Sequence, residues 1–432
     1  MRNNLGYFFY RKILLRHFLI LLFLFSTHVQ SQQTAQNLFS QYQTALYQIR
    51  IIELESGNKS SIGSGFQIDA QGNMVTNYHV VSEYVYDPDK YRIEYLTING
   101  ESGPLQLINF DVVNDLALVR KTVLNEMEDT FPIATDLPNQ GTTIYSLGNP
   151  HDLGMIVVPG TFNGIKKNSF YQRIHFTGSI NPGMSGGPVV NESGHVMGVN
   201  VATAGNQIGF LIPLSKIEQL LIKHADEPLP IDNFKATIQQ QLMQNQTELF
   251  SKLQNATWQM APLGQANVPT KIGEFLSCWG DSNTNDEESL FLSVENRCRL
   301  DEQIFLHGGL RSGGIELEFE WLNGQKLGEN RFYSLYNNSV KGAGAGNAAT
   351  KTDVTNYQCE NSKVTNKNNV SSKTVLCVRA YKEFAELYDV LFIGATLDHK
   401  EQGLISHFTL AGVAKDSALS FTKQFMDAIE WQ

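Results

Sequence analysis

Hydrophobic positions along the chain follow two periods in turn. Leu38, Phe39, Tyr42, Leu46 and Ile49 recur at helical spacing and predict a short helix, after which the apolar residues fall into short runs and period-2 alternation, as at Phe66 and Ile68. Residues 105–108, 116–119, 143–147 and 196–201 read as strands, with Gly72-Asn73 and Asn99-Gly100 as turns between strands. Many short strands punctuated by glycine and proline predict a barrel or sandwich. Near Asp226 the pattern changes: Pro228 and Pro230 interrupt the chain, and Ile238, Leu242, Leu249, Phe250 and Leu253 trace one face of a Gln-rich helix. From about Lys271 alternation returns, with Ile315, Leu317, Phe319 and Trp321 set against Glu316, Glu318 and Glu320 before an Asn323-Gly324 turn. A last helical pattern runs through Leu419, Phe421, Phe425, Met426 and Ile429. Gly342-Ala343-Gly344-Ala345-Gly346 lacks the spacing of a dinucleotide-binding loop and reads as a flexible connection.

A chain of 432 residues is too long for one ordinary core. The pattern divides it into residues 1–31, a first folded domain over 32–225, a helical linker over 226–270 and a β-rich domain of unknown type over 271–432. The linker's apolar stripe could equally serve as a contact between chains. Residues 1–31 carry Arg2, Arg11, Lys12 and Arg16 before an apolar run over 18–25, then small residues at Val29 and Ser31. That is the pattern of a secretory signal peptide cut after Ser31, with an uncleaved anchor as the alternative, because the run is short for a membrane span. The predicted location is therefore exported, periplasmic or secreted. A net charge of −10 argues against nucleic acid or an anionic membrane as partner. All four cysteines, Cys278, Cys298, Cys359 and Cys377, lie in the last third. Export permits disulfides, and proximity favours pairing Cys278 with Cys298 and Cys359 with Cys377. No close Cys-x2-4-Cys pair suggests zinc, and nothing in the sequence calls for a metal or organic cofactor.

Three segments carry candidate chemistry. Thr76-Asn77-Tyr78-His79-Val80-Val81 offers a base, Asn114-Asp115-Leu116-Ala117-Leu118 an acid, and Asn181-Pro182-Gly183-Met184-Ser185-Gly186-Gly187-Pro188 a nucleophile. A serine hydroxyl attacks a carbonyl only if an imidazole takes its proton, and the imidazole needs a carboxylate to fix its tautomer. The amides of Gly183 and Ser185 are placed to stabilise an oxyanion. Gly183-Met184-Ser185-Gly186-Gly187 also satisfies the G-x-S-x-G pattern of α/β-hydrolases, but there the serine opens a helix, and Gly186, Gly187 and Pro188 are poor helix starters. That rival would also need Asp398, His399 or His407, which lie beyond the linker. His151, His175 and His195 read as surface or structural histidines, with His175 near enough in sequence to influence the serine loop.

The order His79, Asp115, Ser185, with Ser64-Gly65-Phe66-Gln67-Ile68, Ser146-Leu147-Gly148-Asn149-Pro150 and Ile208-Gly209-Phe210-Leu211-Ile212-Pro213, resembles the protease domain of the HtrA (Deg) branch of chymotrypsin-like serine peptidases over residues 61–215. The resemblance implies an all-β protease domain of two six-stranded barrels with the site between them. It also implies bacterial export, protein or peptide substrates, and assembly into homo-oligomers. It implies a PDZ domain as well, yet no such segment is recognisable. By the same analogy Ser179 lies at the base of the pocket for the residue preceding the scissile bond. With no acid there, cleavage after small or medium apolar residues is expected. Gly198, Val199, Asn200, Val201 and Ala202 are expected to pair with the substrate backbone. Met184 departs from the family's usual polar residue. It cannot capture a new N-terminal amine as the aspartate of trypsin-type zymogens does, so control is expected through rearrangement of the loop over 181–185. A binding or chaperone-like protein on a peptidase fold, with recognition in the C-terminal domain, is the alternative function.

Overall fold

The structure, a computed structural model, describes residues 34–124, 129–203, 208–222 and 227–432. The expected signal peptide lies outside the described residues. A helix over 34–42 (α1) ends earlier than the helical spacing predicts, because Leu46 and Ile49 belong to the first strand. Strands β1 (Leu46–Glu53), β2 (Lys59–Gln67), β3 (Asn73–Thr76), β4 (Tyr91–Leu96), β5 (Ser102–Asp111) and β6 (Leu116–Lys121) form a closed barrel in the order β1-β2-β3-β6-β5-β4. A helix, α2 (Tyr78–Tyr86), lies between β3 and β4. A second closed barrel, ordered β10-β11-β12-β9-β8-β7, uses β7 (Thr143–Gly148), β8 (Ile156–Ile165), β9 (Ile174–Phe176), β10 (Pro188–Val190), β11 (Val196–Thr203) and β12 (Gly209–Pro213). Closure removes sheet edges, and the chymotrypsin-like double barrel expected from the resemblance is what forms. Phe66, Val75 and Leu118 of the first barrel pack with Tyr145, Leu147 and Val199 of the second in one apolar cluster across the seam between the barrels.

Helix α3 (Leu214–Ile222) closes the second barrel, and α4 (Phe234–Asn255) follows. The segment over 226–270 holds more than a linker helix. It ends in β13 (Gln259–Leu263) and β14 (Ala266–Lys271), and the buried stripe of α4, from Phe234 and Ile238 to Phe250 and Leu253, is continuous with both the first barrel and the C-terminal domain. Phe234 meets Phe110 of β5 edge-on, and Phe250 meets the C-terminal Phe421. The stripe read from the sequence is therefore covered within the chain.

The C-terminal domain is built on a seven-stranded antiparallel sheet. Its strands are β15 (Ser277–Ser282), β16 (Leu292–Arg299), β19 (Ile315–Asn323), β20 (Gln358–Thr365), β21 (Ser371–Ala380), β22 (Tyr388–Thr396) and β23 (Gln402–Val413), ordered β15-β16-β19-β23-β22-β21-β20. A separate hairpin of β17 (Ile304–His307) and β18 (Leu310–Ser312) precedes β19. Helix α5 (Glu329–Gly342), unforeseen because it buries little beyond Phe332 and Tyr336, lies after β19. Helix α6 (Lys415–Asp427) packs Phe421 and Phe425 onto Phe319, Phe392 and Phe408, and β24 (Glu430–Trp431) pairs with β14. Both disulfides form as proximity predicts, between residues directly opposite on neighbouring strands. Each ties an edge strand, β15 or β20, to the strand inside it.

Candidate active site

The helix α2 begins one residue before His79, so the His79 amide is one of the unpaired donors of a helix N-terminus. Asp115 takes both available donors of His79. Its Oδ1 accepts the His79 amide at 2.8 Å and its Oδ2 lies 2.7 Å from ring Nδ1. This bidentate grip fixes the tautomer and rotamer of the imidazole and sets a carboxylate where the helix dipole favours one. Asp115 reaches the position by adopting a left-handed backbone, φ 62°, a conformation aspartate tolerates better than most residues. Asn77 Nδ2 holds the Asp115 carbonyl at 2.7 Å. Burial pushes the His79 pKa down, but the charge and hydrogen bond of Asp115 outweigh it and raise it overall, against the opposing charge of Arg311.

The serine loop is tied to the first barrel through Ser64, which the sequence offers only as part of a stretch that carries the resemblance and not with this role. Its amide donates to the Ser185 carbonyl at 2.7 Å, its hydroxyl donates to the Gly183 carbonyl at 2.7 Å, and the same hydroxyl accepts the Asn149 amide at 2.9 Å. Thr76 Oγ1 in turn donates to the Ser64 carbonyl. Within the loop the amides of Met184, Gly186 and Gly187 donate to Asn181, Asn200 and Met184 carbonyls. Those of Gly183 and Ser185 donate to no acceptor among the described residues. The Pro182 carbonyl is held by the His151 amide at 2.9 Å, and across a trans peptide the Gly183 N–H must point the opposite way. A Cβ at Gly183, φ 95°, would sit 2.3 Å from the Asn149 carbonyl, so only glycine fits. His151 thus acts through its backbone, at φ 51°. Met184 is buried among Ile144, Phe176 and Leu211, an apolar anchor for the loop where a zymogen aspartate would need an amine. The rearrangement expected for residues 181–185 is not required to free these two amides.

Ser185 is half-buried, and no hydrogen bond joins its hydroxyl to the His79 ring among the described residues. Ser179 is exposed on the segment leading into the loop and makes none of these contacts. The expected substrate strand needs correction. Gly198 and Val199 are paired on both sides, with β10 and with β12. The Asn200 amide and carbonyl are occupied by Gly187 and Gly186, while its side chain bridges Ser146 and the Leu147 carbonyl. Among the described residues β11 shows a free edge only from Val201 through Ala202, because β10 has ended there. Periodicity finds a strand but not which of its edges is taken. The hydrolase rival fails on position as well: His399 stacks on Trp431 and His407 sits in β23, both in the C-terminal domain.

The C-terminal domain also reaches the site. Ile304, Leu306 and Leu310 of the β17–β18 hairpin are buried, and Tyr78 of α2 donates to the Leu306 carbonyl at 3.0 Å. The alternate residue, Phe305, faces the ring of His79 edge-on at 6.2 Å. Nothing in the sequence pointed to it, since more than 200 residues separate the two.

Residues 63–199 match the family model described as a trypsin-like peptidase domain. Serine protease HTRA1A of Danio rerio is 32% identical over 172 residues, 38% of this chain and 35% of the relative. The serine endoprotease DegS of Escherichia coli K12 is 28% identical over 177 residues, 38% of this chain and 48% of the relative. The chain thus spans about a third to a half of the length of these curated relatives. The crystal structure of Deg5 is 26% identical, covers 44% of this chain and 92% of that one, and superposes with a TM-score of 0.39. The region from residue 63 to residue 199 is a trypsin-like peptidase domain homologous to serine proteases of the HtrA and Deg type.

Proposed function

We propose that this chain is an exported serine endopeptidase that cleaves exposed or unfolded protein segments through an acyl-enzyme. The observation that carries the reading is the two-point grip of Asp115 on His79, beside a serine loop with two unengaged amides: Val80, next to His79, and the Ser185 carbonyl both pack against Gly63. Ser185 Oγ attacks the carbonyl as His79 takes its proton. His79 then returns that proton to the leaving amine and activates water to release the acyl group. The Gly183 and Ser185 amides receive the oxyanion, each worth roughly 3 to 4 kcal/mol in the transition state. The Ser185–His79 hydrogen bond forms as substrate binds, since catalytic hydrogen bonds of this kind often tighten only in the Michaelis complex. The free edge of β11 pairs with an extended chain, which selects against folded substrates. Two disulfides suit an oxidising compartment.

Casein digestion by the full chain and by its Ser185→Ala variant tests the proposal. Turnover is expected to fall by roughly 10⁶-fold in the variant if the three groups act as a unit. Equal activity in the two proteins, or none in either, overturns it and leaves the binding function as the better reading.

A further inference from the structure

A cavity of about 800 Å³ lies between the two halves of the molecule, walled by His79, Val201 and Arg173 on one side and by Phe305 and Arg311 on the other. That volume accommodates several residues of an extended peptide. Its position relative to the scissile bond follows from strand direction. Asn200 is tied to the serine loop, so β11 leaves Ser185 as it runs from Val201 onwards. A substrate strand pairing antiparallel to it therefore places the residues before the scissile bond along that edge, in the cavity.

The charges in this cavity do not balance by pairing. Asp115 is engaged by His79, while Glu302 and Asp301 are engaged by Lys166 at 2.7 and 3.5 Å, with Arg299 beside Asp301 at 3.6 Å. Two guanidinium groups are left over. Arg173, just before β9, is only 8% exposed, and among the described residues its guanidinium donates only to the carbonyl of its neighbour Gln172. No carboxylate lies within ion-pair distance of it among the described residues, and burial pulls its pKa below the usual guanidinium range against the more distant charges of Asp115, Glu302 and Asp111, which raise it. Arg311, opposite Phe305 in the hairpin, lies over that ring at 5.4 Å, and among the described residues no carboxylate lies within ion-pair distance of it either. A buried guanidinium whose N–H donors lack partners is costly, and a bound carboxylate that accepts from them relieves that cost.

We propose that the C-terminal domain forms the second wall of the substrate cleft, and that Arg173 and Arg311 select chains carrying an acidic side chain two to four residues before the scissile bond. This rests on the peptidase reading. The carboxylate enters between the two walls and takes the charge-assisted hydrogen bonds that Arg173 and Arg311 leave unused.

The test uses the full chain and quenched-fluorescent peptides with alanine or valine before the scissile bond. Glutamate, glutamine or lysine is placed at each of the three preceding positions, and rates are read at a pH well above the acid limb. The glutamate peptide at one position is expected to show kcat/KM about ten-fold above its glutamine counterpart, with the difference mainly in KM. That ratio should collapse towards one in Arg173→Gln and in Arg311→Gln. The second variant, at an exposed position, keeps the test open if the first does not fold. In parallel, fluorescence anisotropy measures the same labelled peptides on the Ser185→Ala protein. If no peptide is cleaved, the peptidase reading fails, while a glutamate preference in binding still upholds the charge selection. Equal binding and equal cleavage of glutamate and glutamine peptides, or a preference for lysine, overturns it.

Discussion

At the scale of single residues, His79 is set by opposing charges from two domains. Burial lowers its pKa, Asp115 raises it and Arg311 adds a smaller lowering, and the net value lies above the ordinary 6.5. As a base the imidazole must be neutral, so kcat/KM is expected to rise with pH through a midpoint above the usual histidine value. The stability that the ion pair adds runs the other way: it is present below the ordinary histidine pKa and is lost as pH rises through the raised one. Two substitutions should move the acid limb in opposite directions. Asp115→Asn removes the raising charge, shifts the limb to lower pH and lowers kcat by about 10⁴-fold. Arg311→Gln removes the lowering charge and shifts the limb to higher pH. A pH–rate series on one neutral peptide checks both, and a limb unmoved in Arg311→Gln refutes the coupling.

Among the elements, α4 links the parts that hold the site. Its Gln241 donates to the Phe110 carbonyl at 2.9 Å and accepts the Val112 amide at 2.7 Å, the two backbone groups where β5 turns towards Asp115. Asn245 donates to the Tyr171 hydroxyl in the second barrel, and Gln246 accepts the Ala414 amide before α6. A helix that reads as a Gln-rich linker gives these side-chain amides to all three neighbours. Gln241→Leu leaves a backbone donor and acceptor unpaired, a cost of about 1 to 3 kcal/mol. The predicted result is a lower denaturation midpoint together with a fall in kcat larger than any rise in KM, because the Asp115 turn loosens. An unchanged kcat would show that the turn holds without α4. The disulfides act at the same scale, each closing a short loop worth about 3 kcal/mol against the unfolded chain.

For the molecule as a whole, the core matters more than the domain count. Tyr78 of α2, Phe110 of the first barrel, Ile238 and Leu249 of α4, and Phe319 and Phe408 of the C-terminal sheet belong to one buried cluster. All four tryptophans, Trp258, Trp279, Trp321 and Trp431, lie beyond the barrels, so their fluorescence reports only the C-terminal half. Denaturant unfolding followed by tryptophan fluorescence and by residual casein hydrolysis is expected to give coincident midpoints. Separate midpoints would mean that the halves unfold independently. The strand periods, the order of His79, Asp115 and Ser185, the glycines around the serine and the disulfide pairing were all legible in the sequence. Each depends on neighbours along the chain or on backbone limits that a residue type carries with it. The occupied edge at Gly198–Asn200, the tie through Ser64, and the arrival of Phe305 and Arg311 at His79 were decided by tertiary structure. Those contacts join segments far apart in the chain, and the packing that brings them together leaves no local pattern in hydrophobicity or charge.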